Sequence, residues 1–252
     1  MSGRSNVLSA LVILLGMGLA LAGPARAQIP DEFTNLKILP KDIAKQDLVR
    51  IMRGFTAALG VRCSGCHVPG DNPNSLDGFD FASDEPEQKA VARAMLQMVN
   101  EINTKLLPAT GREDVAEVRC ITCHHGLQKP ATINDVLLKK IDKDGVEAAR
   151  VEYRQLRDTY YGTAAYDFTA GPLGEVAETL AESRQDVDGA IQIAMLALEF
   201  EPDNAMNHLM LGQLYSHKGD KEAAIKSLEK ALELDPENRW AQRTLEQVKG
   251  GN

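Results

Sequence analysis

Two stretches of the chain place cysteine and histidine at identical spacing. Residues 63–67 read C-S-G-C-H and residues 120–124 read C-I-T-C-H. Both follow C-x-x-C-H, the pattern that attaches c-type haem covalently. Two cysteines three positions apart on a helical turn face the same way, and the adjacent histidine can ligate the iron. We therefore expect two covalently bound haem c groups, held by the thiols of Cys63, Cys66, Cys120 and Cys123 and by the imidazoles of His67 and His124.

Three other uses of these cysteines are weaker. A zinc site could use C-x-x-C twice, but 53 residues separate Cys66 from Cys120, against about 15–20 in zinc ribbons. A redox C-x-x-C motif needs no following histidine. Two disulfides would explain the cysteines but would leave His67 and His124 without a role.

The N-terminus has the pattern of an export signal. Arg4 precedes an apolar run over residues 7–22, and Ala25-Arg26-Ala27 follows. This order predicts a secretory signal peptide over residues 1–27 and a periplasmic or extracellular product. The alternative is an uncleaved anchor, but 16 apolar residues fall short of the roughly 20 that span a bilayer. No later run is long and apolar enough, so we expect no membrane span after signal removal.

Composition narrows the class of protein further. Hydrophobic residues make up 44% of the 252 residues, which suits a globular chain. The net charge of −8 disfavours nucleic acid as a partner, since non-specific binding to nucleic acid requires a basic surface. Aromatic residues make up only 5%, whereas Ala, Leu, Glu and Lys are frequent. We therefore expect a mainly α fold.

Two amphipathic helices are predicted around the first motif. The first lies within residues 43–59 and ends at Gly60, with one apolar face. The second begins near Asp84, which can cap it together with Glu87 three residues later. The apolar face of the first helix comprises Leu48, Ile51, Met52, Phe55 and Leu59, and that of the second comprises Val91, Met95, Met98, Ile102 and Leu106.

The C-terminal third contains an internal repeat. Residues 190–204 recur at 224–238 with an offset of 34 residues, the period of a helix-turn-helix repeat unit. The second copy resembles a tetratricopeptide repeat, whereas the first has Glu178 and Ala181 where that pattern has glycine and tyrosine. We expect a polar helix over 142–161, a linker over 162–171 and a capping helix over 238–248. Two repeats and a cap are marginal alone, so this module should pack on the helices before it.

These elements give the expected organisation: a helical dihaem cytochrome c domain followed by a short α-solenoid of tetratricopeptide-like helix pairs. The boundaries are a signal peptide over 1–27, the dihaem domain over 28–135, a connecting helix and linker over 136–170, and two repeats with a capping helix over 171–252.

The surroundings of the motifs carry a family resemblance. Residues 48–67, 81–83, 87–89, 92–98, 101–103 and 118–126, with Pro130, resemble the photosynthetic reaction-centre cytochrome c subunit. That family carries four haems in two pairs, and the resemblance covers one pair. It implies that the helix before the first motif supplies a distal methionine, which is Met52, 11 residues before Cys63. A core-filling role for Met52 is the alternative.

The distal ligand of the second haem is less constrained, because the family supplies it from a half that this chain lacks. Met95 is the first candidate, followed by an open or exogenous position, and then by Met98 or His125. We expect His208 to be structural within the repeat. His217 should be exposed to solvent in a turn.

An acidic cluster lies between the two motifs and contains no basic residue. It is either a solvated loop or a docking surface for a basic electron-transfer partner. A calcium site at Asp71 and Asn72 is weakly supported, since no known loop spacing is present. The cluster comprises Asp71, Asp77, Asp80, Asp84, Glu85 and Glu87.

The function that these features indicate is electron transfer between redox protein partners, not catalysis. The repeats would bind a peptide partner or mediate self-assembly. One alternative is a dihaem peroxidase-like enzyme with an open iron. Another is a structural subunit of an extracellular haem chain, in which His125 crosses between subunits.

Overall fold

A computed structural model describes residues 29–72 and 75–250 of the chain. The predicted signal peptide over 1–27 lies outside the described residues. These residues form two compact units, one from residues 29–45 with Arg62–Gln97 and one from Gln46–Val61 with residues 98–250. In the described part of the chain, no helix has the length and apolar character needed to cross a membrane.

The fold is mainly α, as predicted. Between residues 29–72 and 75–250 the only β-pairing is an isolated antiparallel bridge between Val68 and Asp80. The helices before the solenoid are α1 Lys45–Leu59, α2 Glu87–Glu101, a π-helical turn Ile102–Leu106, α3 Leu107–Ala109 and α4 Cys120–His124. The remaining helices are α5 Ile133–Asp144, α6 Val146–Tyr160, α7 Ala170–Glu178, a π-helical turn Thr179–Ser183, α8 Val187–Phe200, α9 Ala205–Lys218, α10 Lys221–Leu234 and α11 Arg239–Gly250.

The second unit contains a solenoid of helix pairs, in which α5 packs on α6 and on α7, α6 packs on α8, and each helix from α7 to α10 packs on the next. Its main core joins α5 and α6 to the first repeat, because Leu137 and Tyr153 are buried with Leu180 and Ile193. Tyr153 contacts the ring of Phe168 and that of Phe200 at 5.7 and 5.5 Å between centroids. The prediction that the repeats pack on the preceding helices is therefore confirmed.

The 34-residue period reappears in the hydrogen bonds of the repeats. His208 Nε2 lies 2.8 Å from the carbonyl oxygen of Pro202, and Gln242 Nε2 donates to that of Pro236 at 2.8 Å. Both side chains hold the start of a helix against the preceding loop. His208 is therefore structural, as predicted. Within α9, Gly212 lets α10 approach closely, since a Cβ there would lie 2.6 Å from Leu228 Cγ.

Two helix starts differ from prediction. The polar helix begins at Val146 and not at residue 142, because Gly145 adopts a φ of 87° and separates it from α5. Helix α2 begins at Glu87. The predicted cap at Asp84 is wrong, because its carboxylate instead binds Lys37 at 2.5 Å and Arg93 at 2.8 Å.

Candidate functional site

The first C-x-x-C-H motif forms a tight turn. Cys63 opens a 3₁₀ turn that continues to Gly65. The backbone N–H groups of Cys66 and His67 both donate to the Cys63 carbonyl, at 3.1 and 3.0 Å. The local backbone thus holds both thiols on one turn with the histidine directly after them.

Two aromatic rings, those of Phe81 and Phe79, pack beside His67. The bridge between Val68 and Asp80 returns the chain, so that the Phe81 ring meets the His67 ring edge-on at 5.1 Å between centroids. Phe79 stacks on Phe81 at 5.5 Å. Burial lowers the pKa of His67, and the charge of Lys89 lowers that pKa further, while the Phe81 backbone and Asp80 oppose both effects. A lowered pKa favours the neutral imidazole, which is the form that ligates a metal.

The second motif forms the short helix α4. The Arg119 backbone N–H donates to Thr122 Oγ1 at 3.0 Å and thereby caps its first turn. His125 then takes a left-handed conformation, with φ of 49°, and ends the helix. His124 Nδ1 donates to the Leu127 carbonyl at 2.8 Å. This bond fixes the tautomer whose Nε2 lone pair is free for iron.

Asn103 positions the approach to the second motif, and sequence reasoning did not single it out. It lies in the π-helical turn Ile102–Leu106. Its amide nitrogen donates to the Val118 carbonyl at 2.8 Å, and its amide oxygen accepts from the Val118 N–H at 2.9 Å. Both backbone groups of Val118, two residues before Cys120, are thus held by one side chain. Such π-helical turns are frequent at functional sites. The hydrogen bonds between Asn103 and Val118 join residues 15 apart in sequence, and helical periodicity does not reveal such a contact.

Replacing Asn103 by alanine should destabilise the protein by about 2 kcal/mol, because each hydrogen bond to Val118 contributes about 1 kcal/mol. Asn103→Asp should cost at least as much, since a carboxylate oxygen would then face the Val118 carbonyl oxygen at the place where the amide N–H donates. Thermal unfolding followed by circular dichroism measures both. Thr104→Ala, which removes one exposed hydroxyl bond to the Asn100 carbonyl, is the control. Equal melting temperatures for Asn103→Ala and Thr104→Ala would contradict the clamp.

The loop after the second motif is held against the end of α1. The Gly126 N–H donates to the Ala58 carbonyl at 2.9 Å. Gly60 has a φ of 64°, and a Cβ at this position would lie 2.1 Å from the Gly126 carbonyl oxygen. Gly60 was predicted only as a helix stop. Its second role is to let the two backbones meet.

The cysteines have the chemistry that thioether attachment requires. All four lie among the described residues and are free thiols, without disulfides. Burial raises the pKa of Cys66, and the neighbouring Cys63 adds to that effect. Burial likewise raises the pKa of Cys120. In residues 29–72 and 75–250 no three His, Cys, Asp or Glu side chains gather as a metal-holding cluster.

The proposed distal ligands occupy different surroundings. Met52 is half-buried on α1, within the second unit, whereas His67 belongs to the first unit. Met95 and Met98 are not core residues, since they keep 39% and 47% exposure on α2. His125 is exposed directly after α4.

His217 is exposed, as predicted. It lies in the last turn of α9 and not between helices.

An apolar face of α2 and its extension is exposed. Val91 keeps 56% exposure and Leu106 keeps 61%, with Met95 and Met98 between them in sequence. The sequence predicted these residues as an apolar helix face, and they are exposed on the surface of the polypeptide. Apolar side chains between two cysteine motifs suit contact with a porphyrin ring, so the residues present fit haem c.

Three members of the acidic cluster have hydrogen-bond or ion-pair partners, and one of them is Asp77, which accepts from Ser75 Oγ at 2.7 Å. Asp80 accepts from the backbone N–H groups of Ala82 and Ser83, both at 2.9 Å. Asp84 binds Lys37 and Arg93, which lie outside the cluster in sequence. Asp80 and Asp84 are nevertheless exposed, so the interpretation of the cluster as a solvated loop or a docking surface stays a prediction.

Two C-x-x-C-H turns on a helical scaffold are typical of a c-type cytochrome. Residues 20–185 match the family described as photosynthetic reaction centre cytochrome C subunit. That match covers well over half of the chain, and the chain belongs to this family. Membership implies covalently bound haem c. Residues 207–238 match the tetratricopeptide repeat family, which confirms a tetratricopeptide repeat in the C-terminal part of the chain.

Two curated relatives match part of the chain. The photosynthetic reaction center cytochrome c subunit of Rubrivivax gelatinosus is 34% identical over 39% of this chain and 31% of its own length. Cytochrome c-554 of Chloroflexus aurantiacus is 33% identical over 41% of this chain and 23% of its own length. The chain thus spans less than a third of either relative.

Among solved structures, the first tetratricopeptide repeat domain of Spaghetti bound to an HSP90 peptide is similar. It is 18% identical, with a TM-score of 0.33, over 47% of this chain and 88% of that one.

Proposed function

We propose that this protein is a dihaem c-type cytochrome that carries electrons between redox protein partners. The observation that carries the proposal is the pair of C-x-x-C-H turns with free thiols, in which the His67 ring contacts Phe81 and His124 Nδ1 donates to the Leu127 carbonyl. Cys63, Cys66 and His67 would hold one haem, and Cys120, Cys123 and His124 the other. The haem supplies a one-electron iron couple, while the protein supplies ligands and a partly apolar surrounding.

Met52 is the proposed distal ligand of the first iron and Met95 that of the second. Met52 is supported by its place on the helix before the first motif and by the family resemblance. Met95 is supported by its exposure on α2, between the two motifs in sequence. Thioether ligation opposite histidine raises the potential relative to a second histidine.

Replacing Met52 by leucine should lower the potential of one haem and change its axial-ligand spectrum, because the sulfur is lost while apolar volume is retained. A potentiometric titration with near-infrared spectra measures both. The control is Met206→Leu, which changes an exposed methionine on α9. Spectra identical to wild type would remove Met52 from the ligand set.

Export and protein contacts complete the proposal. The signal pattern over residues 1–27 supports a periplasmic or extracellular location. The domain boundaries of the sequence analysis, with the haem domain over 28–135 and repeats over 171–252, are part of this proposal. The tetratricopeptide match supports a role of the solenoid in binding a peptide partner or in self-assembly.

A titration with haem-resolved spectra tests the function. Two low-spin haems with separate one-electron waves are expected. A high-spin second haem that binds cyanide and turns over peroxide would instead favour a peroxidase-like enzyme. Assembly that depends on concentration and is lost in His125→Ala would favour a subunit of a haem chain.

A further inference from the structure

Lys89 is an unusually enclosed charge near the start of α2. Its side chain keeps only 13% exposure. The ammonium donates to the carbonyl oxygens of Phe81 and Ser83, at 2.8 and 2.6 Å, and lies 3.6 Å from Asp84 Oδ1. The ion pair with Asp84 and the two carbonyl hydrogen bonds favour the charged form of Lys89, whereas burial lowers its pKa.

This charge lies in the surroundings of the first motif. Phe81, whose carbonyl accepts from Lys89, presses its ring edge against His67. The charge of Lys89 also contributes to the lowered pKa of His67, after burial itself. Lys89 and the proximal histidine are therefore electrostatically coupled.

The neighbouring carboxylates do not cancel this charge. Asp84 is shared with Lys37 and Arg93, at 2.5 and 2.8 Å. Asp80 is committed to the backbone N–H groups of residues 82 and 83. The bonded groups thus comprise three cations and two anions, Lys37, Lys89, Arg93, Asp80 and Asp84, while Glu85 and Glu87 beside them are exposed to solvent.

We propose that Lys89 raises the reduction potential of the haem at Cys63–His67 by holding a partly buried cation beside His67. This inference rests on the proposed function, in which that motif carries a haem. Uptake of one electron, supplied by the titrating mediator, lowers the charge of the iron centre by one, so a fixed cation nearby favours the reduced form. A partly buried charge is screened less by solvent and salt than an exposed one.

The test is a potentiometric titration of four variants with both haems attached. Lys89→Gln should lower one midpoint potential by about 59 mV, which is about a tenfold change in a one-electron equilibrium, and leave the other unchanged. Lys89→Arg should retain the wild-type value. Asp80→Asn keeps an oxygen to accept the two N–H bonds but loses the charge, so it should raise the same potential. Lys105→Gln, at a 69% exposed side chain, is the control.

Two outcomes would overturn the inference. One is an unchanged potential in a fully loaded Lys89→Gln protein. The other is a shift of Asp80→Asn in the same direction as Lys89→Gln, because disturbed packing, unlike charge, has no reason to reverse sign. If Lys89→Gln does not bind haem, the Asp80→Asn variant decides: a midpoint potential that is not higher than that of the wild type overturns the inference. A wild-type protein whose mass shows no haem at residues 63–67 would instead overturn the proposed function.

Discussion

Replacing Cys120 and Cys123 together by alanine is expected to remove one haem from the purified protein and about half of its haem absorbance. Thioether bonds need the thiols, and the second motif contains both that serve this haem. The first motif uses its own backbone turn, in which Cys66 and His67 bond to the Cys63 carbonyl. Its haem should therefore remain attached. Intact-mass measurement counts the groups directly.

The reciprocal variant is the matched control. Cys63→Ala with Cys66→Ala should remove the other haem and leave residues 120–124 loaded. Loss of both haems from either variant would mean that attachment is not independent. A full complement in either variant would show that these thiols do not carry the cofactor.

Gly60→Ala is expected to be the most damaging single substitution away from the motifs. The left-handed φ of 64° costs a side chain about 1–3 kcal/mol. The added Cβ would also meet the Gly126 carbonyl oxygen at 2.1 Å, and backbone cannot yield as a flexible side chain does. The end of α1 must then separate from the loop after the second motif. We expect a fall in melting temperature of many degrees and reduced haem content at residues 120–124.

Gly54→Ala, within the helix that Gly60 follows, is the control. Gly54 lies inside α1, and nothing lies within 4 Å of the position of an added Cβ. Alanine there should stabilise the protein by about 0.5–1 kcal/mol, because glycine is unfavourable within a helix. A Gly60→Ala protein as stable as Gly54→Ala would contradict the close backbone contact.

Local patterns predicted much of this protein. The motif spacing located the two cysteine turns, because a short backbone segment alone determines which way their thiols face. The apolar periodicity located α1, and the 34-residue offset located α7–α10. These are properties of neighbouring residues, which sequence contains directly.

Features that depend on distant partners were missed. Asp84 had the sequence of a helix cap, but Lys37 and Arg93 offer stronger charged partners across 47 and 9 residues. The Asn103 clamp on Val118 and the Gly60 contact with Gly126 also join separate segments. The periodicity of the sequence does not predict such pairs, because each depends on which distant segments the tertiary fold brings together.

The axial ligands differ from the attachment residues for a related reason. Methionine is equally suited to a core and to iron, so its type alone does not decide its role. The exposure of Met95 and Met98 removes the core interpretation for both. Met52 is half-buried, and both roles are compatible with that burial.

The most direct test is the intact mass of the mature protein, purified from the compartment in which it accumulates, under denaturing conditions that strip any haem held without a covalent bond. The account predicts a mass equal to the polypeptide plus two haem groups, with peptide mapping placing one on residues 63–66 and one on residues 120–123. A mass equal to the bare polypeptide, with four thiols, two disulfides or zinc recovered in place of porphyrin, would contradict it.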